Sequence, residues 1–257
     1  LATTRASREA HLAGIQYMDL PKTLQDAVDV TRALQVPYLW VDSLCIIQDD
    51  VDGRDWRIES AKMDRIYEGS FLTISATSAQ AVTEGFLGQR IVIASEPETT
   101  TPKTRHRHDA VIPEDSDEAN LRQYPLLSRA WTFQERLLST RTLHFLPHET
   151  IFECRSDMWC ECGGSRADQL WKKGKVRGSV YNRAAAGAFR GDIYRGPSEV
   201  WQLLIQQYSK RRLSKWEDRL LALSGIARKF SKQFGMNATG AYHAGLWEVD
   251  ILWHVLW

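Results

Sequence analysis

The chain has 257 residues, a hydrophobic content of 43%, a charged content of 25% and a formal net charge of +1. It is long enough to bury a substantial core as one large domain or two small ones, and its composition excludes disordered, collagen-like and disulfide-dense classes. No apolar run approaches the roughly 20 residues that span a bilayer, and no secretory leader opens the sequence, so the expected location is the cytoplasm.

Four cysteines in a chain of this length point to a reducing compartment. A first residue of leucine rather than methionine reads as the start of an excised piece. The near-neutral charge hides an asymmetry, because Arg166 to Lys232 is strongly basic and the remainder acidic. A basic half could attract phosphate-bearing ligands or an acidic partner, although solvated helix faces account for it as simply. No alternation of basic and aromatic residues points to nucleic acid.

In chain order, Leu24, Ala27, Val28, Thr31 and Leu34 recur at helical spacing, predicting a helix over 23–35 capped by Thr23 with Asp26 three residues on. Tyr38 to Val41 is a short apolar run of strand type, expected to be buried on both faces. A second helix should start at Asp55 and run to Tyr67. Phe71 to Ala76 is rich in strand formers. This helix–strand–helix–strand order predicts a mostly parallel central sheet with crossovers.

Residues 95–120 read as a surface insertion. A helix capped by Ser128 follows within Pro125–Leu138, then a hairpin of Arg141–Leu146 and Thr150–Cys154 around Pro147-His148-Glu149. Residues 163–197 are irregular and rich in Gly and Arg. Trp201, Leu204, Ile205 and Tyr208 mark one later helix, and Leu220, Leu223, Ala227 and Phe230 another. Trp201, Trp216, Trp253 and Trp257 are assigned to core and rim packing.

Two polar clusters carry the candidate chemistry. Asp42, Ser43, Cys45, Gln48 and Glu59 gather around the end of the Tyr38–Val41 run, where open α/β sheets place ligands. Arg129-x-Trp131-x-x-Gln134-Glu135 opens a helix, so several of its side chains can share a face. An acid, an arginine, a tryptophan and an amide on one cleft suit a ligand with a flat ring and a charged linker.

Each signal also has a structural reading: Asp42 as a loop cap, Glu59 paired with Lys62, Arg129 paired with Glu135. Cys45, with apolar flanks, reads as a buried inert thiol. Cys154, Cys160 and Cys162 with His144 or His148 lack the paired spacing of structural zinc sites, so no metal is assigned. No P-loop, G-x-G-x-x-G or G-x-S-x-G is present.

Tyr38-Leu-Trp-Val-Asp-Ser-Leu-Cys-Ile-Ile-Gln48, Glu59-x-x-x-Met63-x-x-Ile-Tyr67, Ser128-Arg-Ala-Trp-Thr-Phe-Gln-Glu-Arg136 and Phe152-Glu-Cys154 resemble the fungal heterokaryon-incompatibility (HET) domain. Tyr208-Ser-x-Arg211, Asp218-Arg-Leu-Leu-Ala-Leu-Ser-Gly-Ile-Ala227 and Ala244-Gly-Leu-Trp247 resemble the segment that usually follows it. The resemblance implies a HET domain over 1–160 and a mostly helical extension over 161–257. It also implies an opening strand ending in Ser-Tyr-x-Trp-Gly, and Leu1 falls just after its place.

By the same resemblance the protein acts in non-self recognition that ends in programmed cell death. The family has been likened to TIR domains, flavodoxin-like modules that signal by assembly and in some cases cleave NAD. That likeness implies a flavodoxin-like core, no bound cofactor, and NAD as a substrate. Glu59 in Trp56-x-x-Glu59 would then stabilise the ribosyl centre, and Arg129 would hold pyrophosphate. Trp56 or Trp131 would stack on a ring, Asp42 and Gln48 would fix sugar hydroxyls or the amide, and Ser43, Gln134 and Glu135 would complete the contacts.

Two other readings stay open. One is a non-enzymatic signalling adaptor working by self-association or through an incompatibility partner protein. The other is a family member recruited to small-molecule biosynthesis.

Overall fold

The computed structural model describes residues 1–88, 124–147, 149–155, 158–161 and 197–252, and the fold is mixed α/β. The surface insertion at 95–120, nearly all of the 163–197 segment, His148, Cys162, Trp253 and Trp257 lie outside the described residues.

The first half is helical. After α1 (Arg8–Ala13), α2 spans Lys22–Ala33. Asp26 does not cap it. Its carboxylate pairs with Lys22 and accepts the amides of Phe86 (2.7 Å) and Leu87 (2.9 Å), which pins a distant turn onto α2. Gly85 at φ +74° enables that approach, since a Cβ there would stand 2.5 Å from Asp26 Oδ2.

The Tyr38–Val41 run is not a sheet strand. Val41 is extended (φ −136°, ψ 122°), but the run pairs with no strand among the described residues, and Tyr38 is 85% exposed. It leads into a helical turn, α3 (Asp42–Cys45), which leaves Cys45 exposed rather than buried. The helix expected from Asp55 to Tyr67 is two, α4 (Arg54–Ser60) and α5 (Met63–Gly69). A tight turn at Ala61–Lys62 separates them, and α5 packs on the later helices.

Strand β1 (Thr73–Ser75) follows, then α6 (Pro125–Ser128), α7 (Ala130–Leu138), β2 (Arg141–Phe145), β3 (Thr150–Cys154) and β4 (Met158–Cys160). The four strands form one sheet in the order β1-β2-β3-β4. Only β1 and β2 are parallel; β2–β3 and β3–β4 are antiparallel. The mostly parallel, flavodoxin-like core is therefore not what the described strands form. Tight connections can join only antiparallel neighbours, and β2 to β4 are joined tightly.

The helix read over Pro125–Leu138 breaks at Arg129, which is extended (φ −81°, ψ 140°) and bridges to Arg212. Arg212 N donates to Ser128 O (2.7 Å) and Ala130 N donates to Arg212 O (2.9 Å), so backbone pairing from a remote segment outcompetes the local helix.

The later helices stand where periodicity placed them, as α8 (Pro197–Ser209) and α9 (Asp218–Phe234), followed by α10 (Met236–Thr239) and the hairpin β5–β6 (Tyr242–His243, Leu246–Trp247). Helix α7 is the hub, touching α5, α6, α8 and α9. Trp201, Phe230 and Trp247 are almost fully buried in the main core, which also takes Met63 of α5 and Trp131 of α7. Each such side chain contributes about 1.5–3 kcal/mol. Both sides of residue 160 thus share one core. Trp216, assigned to packing, is instead 68% exposed beneath the Arg219 guanidinium.

Candidate functional site

A cavity of about 740 Å³ opens between α2, the extended Leu39–Val41 segment, α5, β1 and the start of α7. That volume is in the range of small-molecule pockets. Its walls combine apolar side chains (Leu24, Ala27, Leu39, Ile74, Leu126) with charged and hydroxyl-bearing ones.

Thr132, Glu135 and Arg136 enter from α7, Arg129 from the extended residue before it, Asp42 from α3, Tyr67 from α5 and Thr73 and Ser75 from β1. Two of the residues foreseen in separate clusters, Asp42 and Arg129, thus meet in one hollow together with Glu135. Trp40, edge-on to Tyr67 with ring centroids 5.8 Å apart, supplies the aromatic wall.

Glu135 is the electrostatic centre. It has only intermediate exposure, and that is toward the cavity. Burial, aided by the negative charge of Asp42, lifts its carboxyl from the ordinary 4.5 to about 7, against the pull of Arg129 and a hydrogen bond from the Tyr67 hydroxyl. Burial likewise drives the Tyr67 phenol well above its usual value, with Glu135 and Asp42 adding to the effect. At neutral pH Glu135 is shared between an acid and a carboxylate, which is the state of a general acid–base group.

The other foreseen residues lie elsewhere. Glu59 does not line the cavity; its carboxylate accepts from Lys62 Nζ at 2.6 Å on the surface of α4. Trp56 packs edge-on against Trp131 with centroids 5.4 Å apart. Trp131 is buried in the main core and donates its indole N–H to Asp218 at 3.2 Å. Gln134 is fully buried, and its Oε1 accepts the Gly225 amide of α9 at 2.9 Å.

Ser43 and Gln48 are tied to the N-terminal segment: Thr3 N donates to Ser43 O and Gln48 N to Thr3 O, both at 2.8 Å. Gln48 Nε2 donates to Ile46 O at 2.9 Å. Asp42 Oδ1 accepts the amide of the adjacent Ser43 at 2.7 Å, and Asp42 also lines the cavity.

Tyr67, Trp40, Ser75 and Arg136 were not singled out as site residues from the sequence. Tyr67 stood only as the end of the second helix and in the Glu59–Tyr67 motif. For the sheet, the available signal was parity: Thr142 and His144 alternate on one strand and Glu153 answers on the next. The face they share is the buried one, while Leu143, Phe152 and Trp159 on the other face keep some exposure. Polar residues inside and apolar residues outside invert the usual pattern, and burial of charge is costly unless it is paired.

Here it is paired. Arg136 grips Glu153 with Nε at 2.7 Å and Nη2 at 3.0 Å, and His144 Nε2 lies 2.8 Å from Glu153 Oε2. Burial would raise the Glu153 carboxyl, but Arg136 and His144 override it and hold it far below the usual range. Burial lowers His144 despite the pull of Glu153. Among the described residues no group of three or more His, Cys, Asp or Glu could hold a metal ion. None of their helices is long and apolar enough to cross a membrane.

Fold and site together define a mixed α/β protein with a cavity of small-molecule size walled by α2, the Leu39–Val41 segment, α5, β1 and the start of α7. The family model described as "Heterokaryon incompatibility protein (HET)" matches residues 2–135, more than half of the chain. The chain belongs to that family, and a role in heterokaryon incompatibility follows from membership. No curated protein and no solved structure matches it.

Proposed function

We propose that this protein is a fungal non-self recognition effector of programmed cell death whose cavity binds a nucleotide-like ligand, NAD being the first to test. One observation carries the reading: Asp42, Arg129, Glu135 and Tyr67, from three separate elements, converge on a single cavity of about 740 Å³. Arg129 offers a planar fork for phosphate oxygens. Trp40 and Tyr67 offer ring faces, and Asp42 and Glu135 offer acceptors for sugar hydroxyls. If the glycosidic bond of NAD is cleaved, the carboxylate nearest the developing positive charge is Glu135, because Glu59 is engaged outside the cavity.

The test is calorimetric titration with NAD alongside an assay for released nicotinamide. Arg129→Met should weaken binding at least about tenfold, the equivalent of one lost charge-assisted contact. Glu135→Gln should abolish release and Glu59→Gln should leave it unchanged. Absence of binding by the unmodified protein sinks the reading.

The pairing of Glu59 with Lys62 and the burial of Trp131 and Gln134 favour a second reading, a signalling adaptor acting by self-association. It requires cell killing to survive Arg129→Met and Glu135→Gln while surface substitutions that block association abolish it.

A further inference from the structure

The inward-facing polar residues of the sheet do more than neutralise one another. Ser75 lines the cavity and its Oγ is 2.9 Å from Thr77 Oγ1, which is 3.4 Å from His144 Nδ1. His144 Nε2 is 2.8 Å from Glu153 Oε2, and Glu153 is held by both arms of Arg136. Ser75 and His144 are register partners across the parallel pair β1–β2, which puts their side chains on the same face of the sheet.

The hydrogen bonds have a direction. Glu153, gripped by a guanidinium, is ionised and can only accept. The His144 proton therefore sits on Nε2, leaving Nδ1 as an acceptor. Thr77 can donate to Nδ1, and its own oxygen can then accept the Ser75 proton. Thr77 Oγ1 also lies 3.3 Å from the Ser75 carbonyl oxygen, the resting alternative for its proton.

We propose that Ser75 is a nucleophile opening into the cavity, deprotonated through Thr77 by His144, and that it takes acyl groups from small apolar carboxylic esters. The apolar lining accepts the acyl chain. Ser75 Oγ bonds to the carbonyl carbon as the bond to the alcohol oxygen breaks. The Ser75 proton passes to Thr77 as the Thr77 proton passes to His144, and the imidazolium faces Glu153. Reversing the relay protonates the departing alkoxide. Water attacks the acyl-Ser75 by the same route, releasing the carboxylic acid and restoring the hydroxyl.

Ser75 is the catalytic residue, and Thr77, His144 and Glu153 are positioning residues. Burial lowers the His144 pKa and so favours the neutral imidazole, whose Nδ1 can accept a proton, with Glu153 and Arg136 the charged groups that face it. This assignment does not depend on NAD binding, and failure of the nucleotide reading leaves it untouched.

The probe is an alkyl fluorophosphonate applied to the intact protein, with the modified peptide located by mass spectrometry. Phosphonylation at Ser75 is expected, lost in Ser75→Ala. Thr77→Val should slow labelling about a hundredfold, while Thr77→Ser, which keeps the hydroxyl, should label at near the original rate. The rate in the unmodified protein should rise with pH through the titration of His144, a dependence absent in Thr77→Val. No labelling at Ser75, or labelling that Thr77→Val leaves unchanged, overturns the proposal. Since Thr77→Ser controls for folding, a merely structural Thr77 would be exposed by equal rates in the two variants.

Discussion

Glu135 on the cavity wall and Glu153 inside the sheet are both withdrawn from bulk water, yet their carboxyls shift in opposite directions. Glu135 rises to about 7 because burial and the charge of Asp42 outweigh Arg129. Glu153 falls because Arg136 is bonded to it through two nitrogens and His144 through a third. Burial disfavours charge in both, and at Glu153 the close charge of Arg136 together with direct hydrogen bonds reverses the sign. One region therefore stores a proton and the other a fixed charge that orients an imidazole.

The strongest way to break the contrast is Glu153→Ala. It strands Arg136 and His144 inside the protein and should cost about 3–5 kcal/mol, read from urea denaturation.

The pH dependence sharpens it. The folded Glu135 carboxyl lies above the ordinary 4.5, so the folded state holds the extra proton and stability falls as pH rises from about 4.5 through 7. The loss approaches about 3 kcal/mol as an upper bound, given solvent in the cavity. Denaturation of Glu135→Gln across this range should lack that fall. Glu153 has the reverse sign: its stabilisation is complete above about 4.5 and disappears as pH drops further below it.

Gly225→Ala probes the seam of α7 and α9 instead. Its Cβ would meet Gln134 Oε1 at 2.6 Å and Asp64 Cβ at 2.8 Å, for a loss of about 1–3 kcal/mol in thermal denaturation. The smallest effect belongs to Glu59→Gln, which removes only a surface pair and should change stability by about 0–1 kcal/mol.

How far the sequence could be read is clearest on α7. The Arg129-x-Trp131-x-x-Gln134-Glu135 run does reach a cavity shared with Asp42, as two polar clusters at element ends implied. It does not reach it as a unit. Trp131 and Glu135 neighbour each other on the helix, and the boundary between core and cavity passes between them. Trp131 turns to Asp218 and Gln134 to Gly225, both on a helix far along the chain. Nothing near α7 in the sequence announces α9. For Glu59, by contrast, the local alternative was visible in Lys62 three residues on, and that is the bond it makes.

The sequence by itself determined the periodic helices α2, α8 and α9, the β2–β3 hairpin and the family, because apolar spacing and ordered motifs act over short distances. The tertiary structure alone decided that Tyr38–Val41 pairs with none of the described strands, that α7 divides its side chains between core and cavity, and that Ser75, Thr77, His144 and Glu153 align. These depend on strand register and on which remote surface covers each face. Such choices are fixed by burial and pairing among segments far apart in the chain, so no local pattern records them.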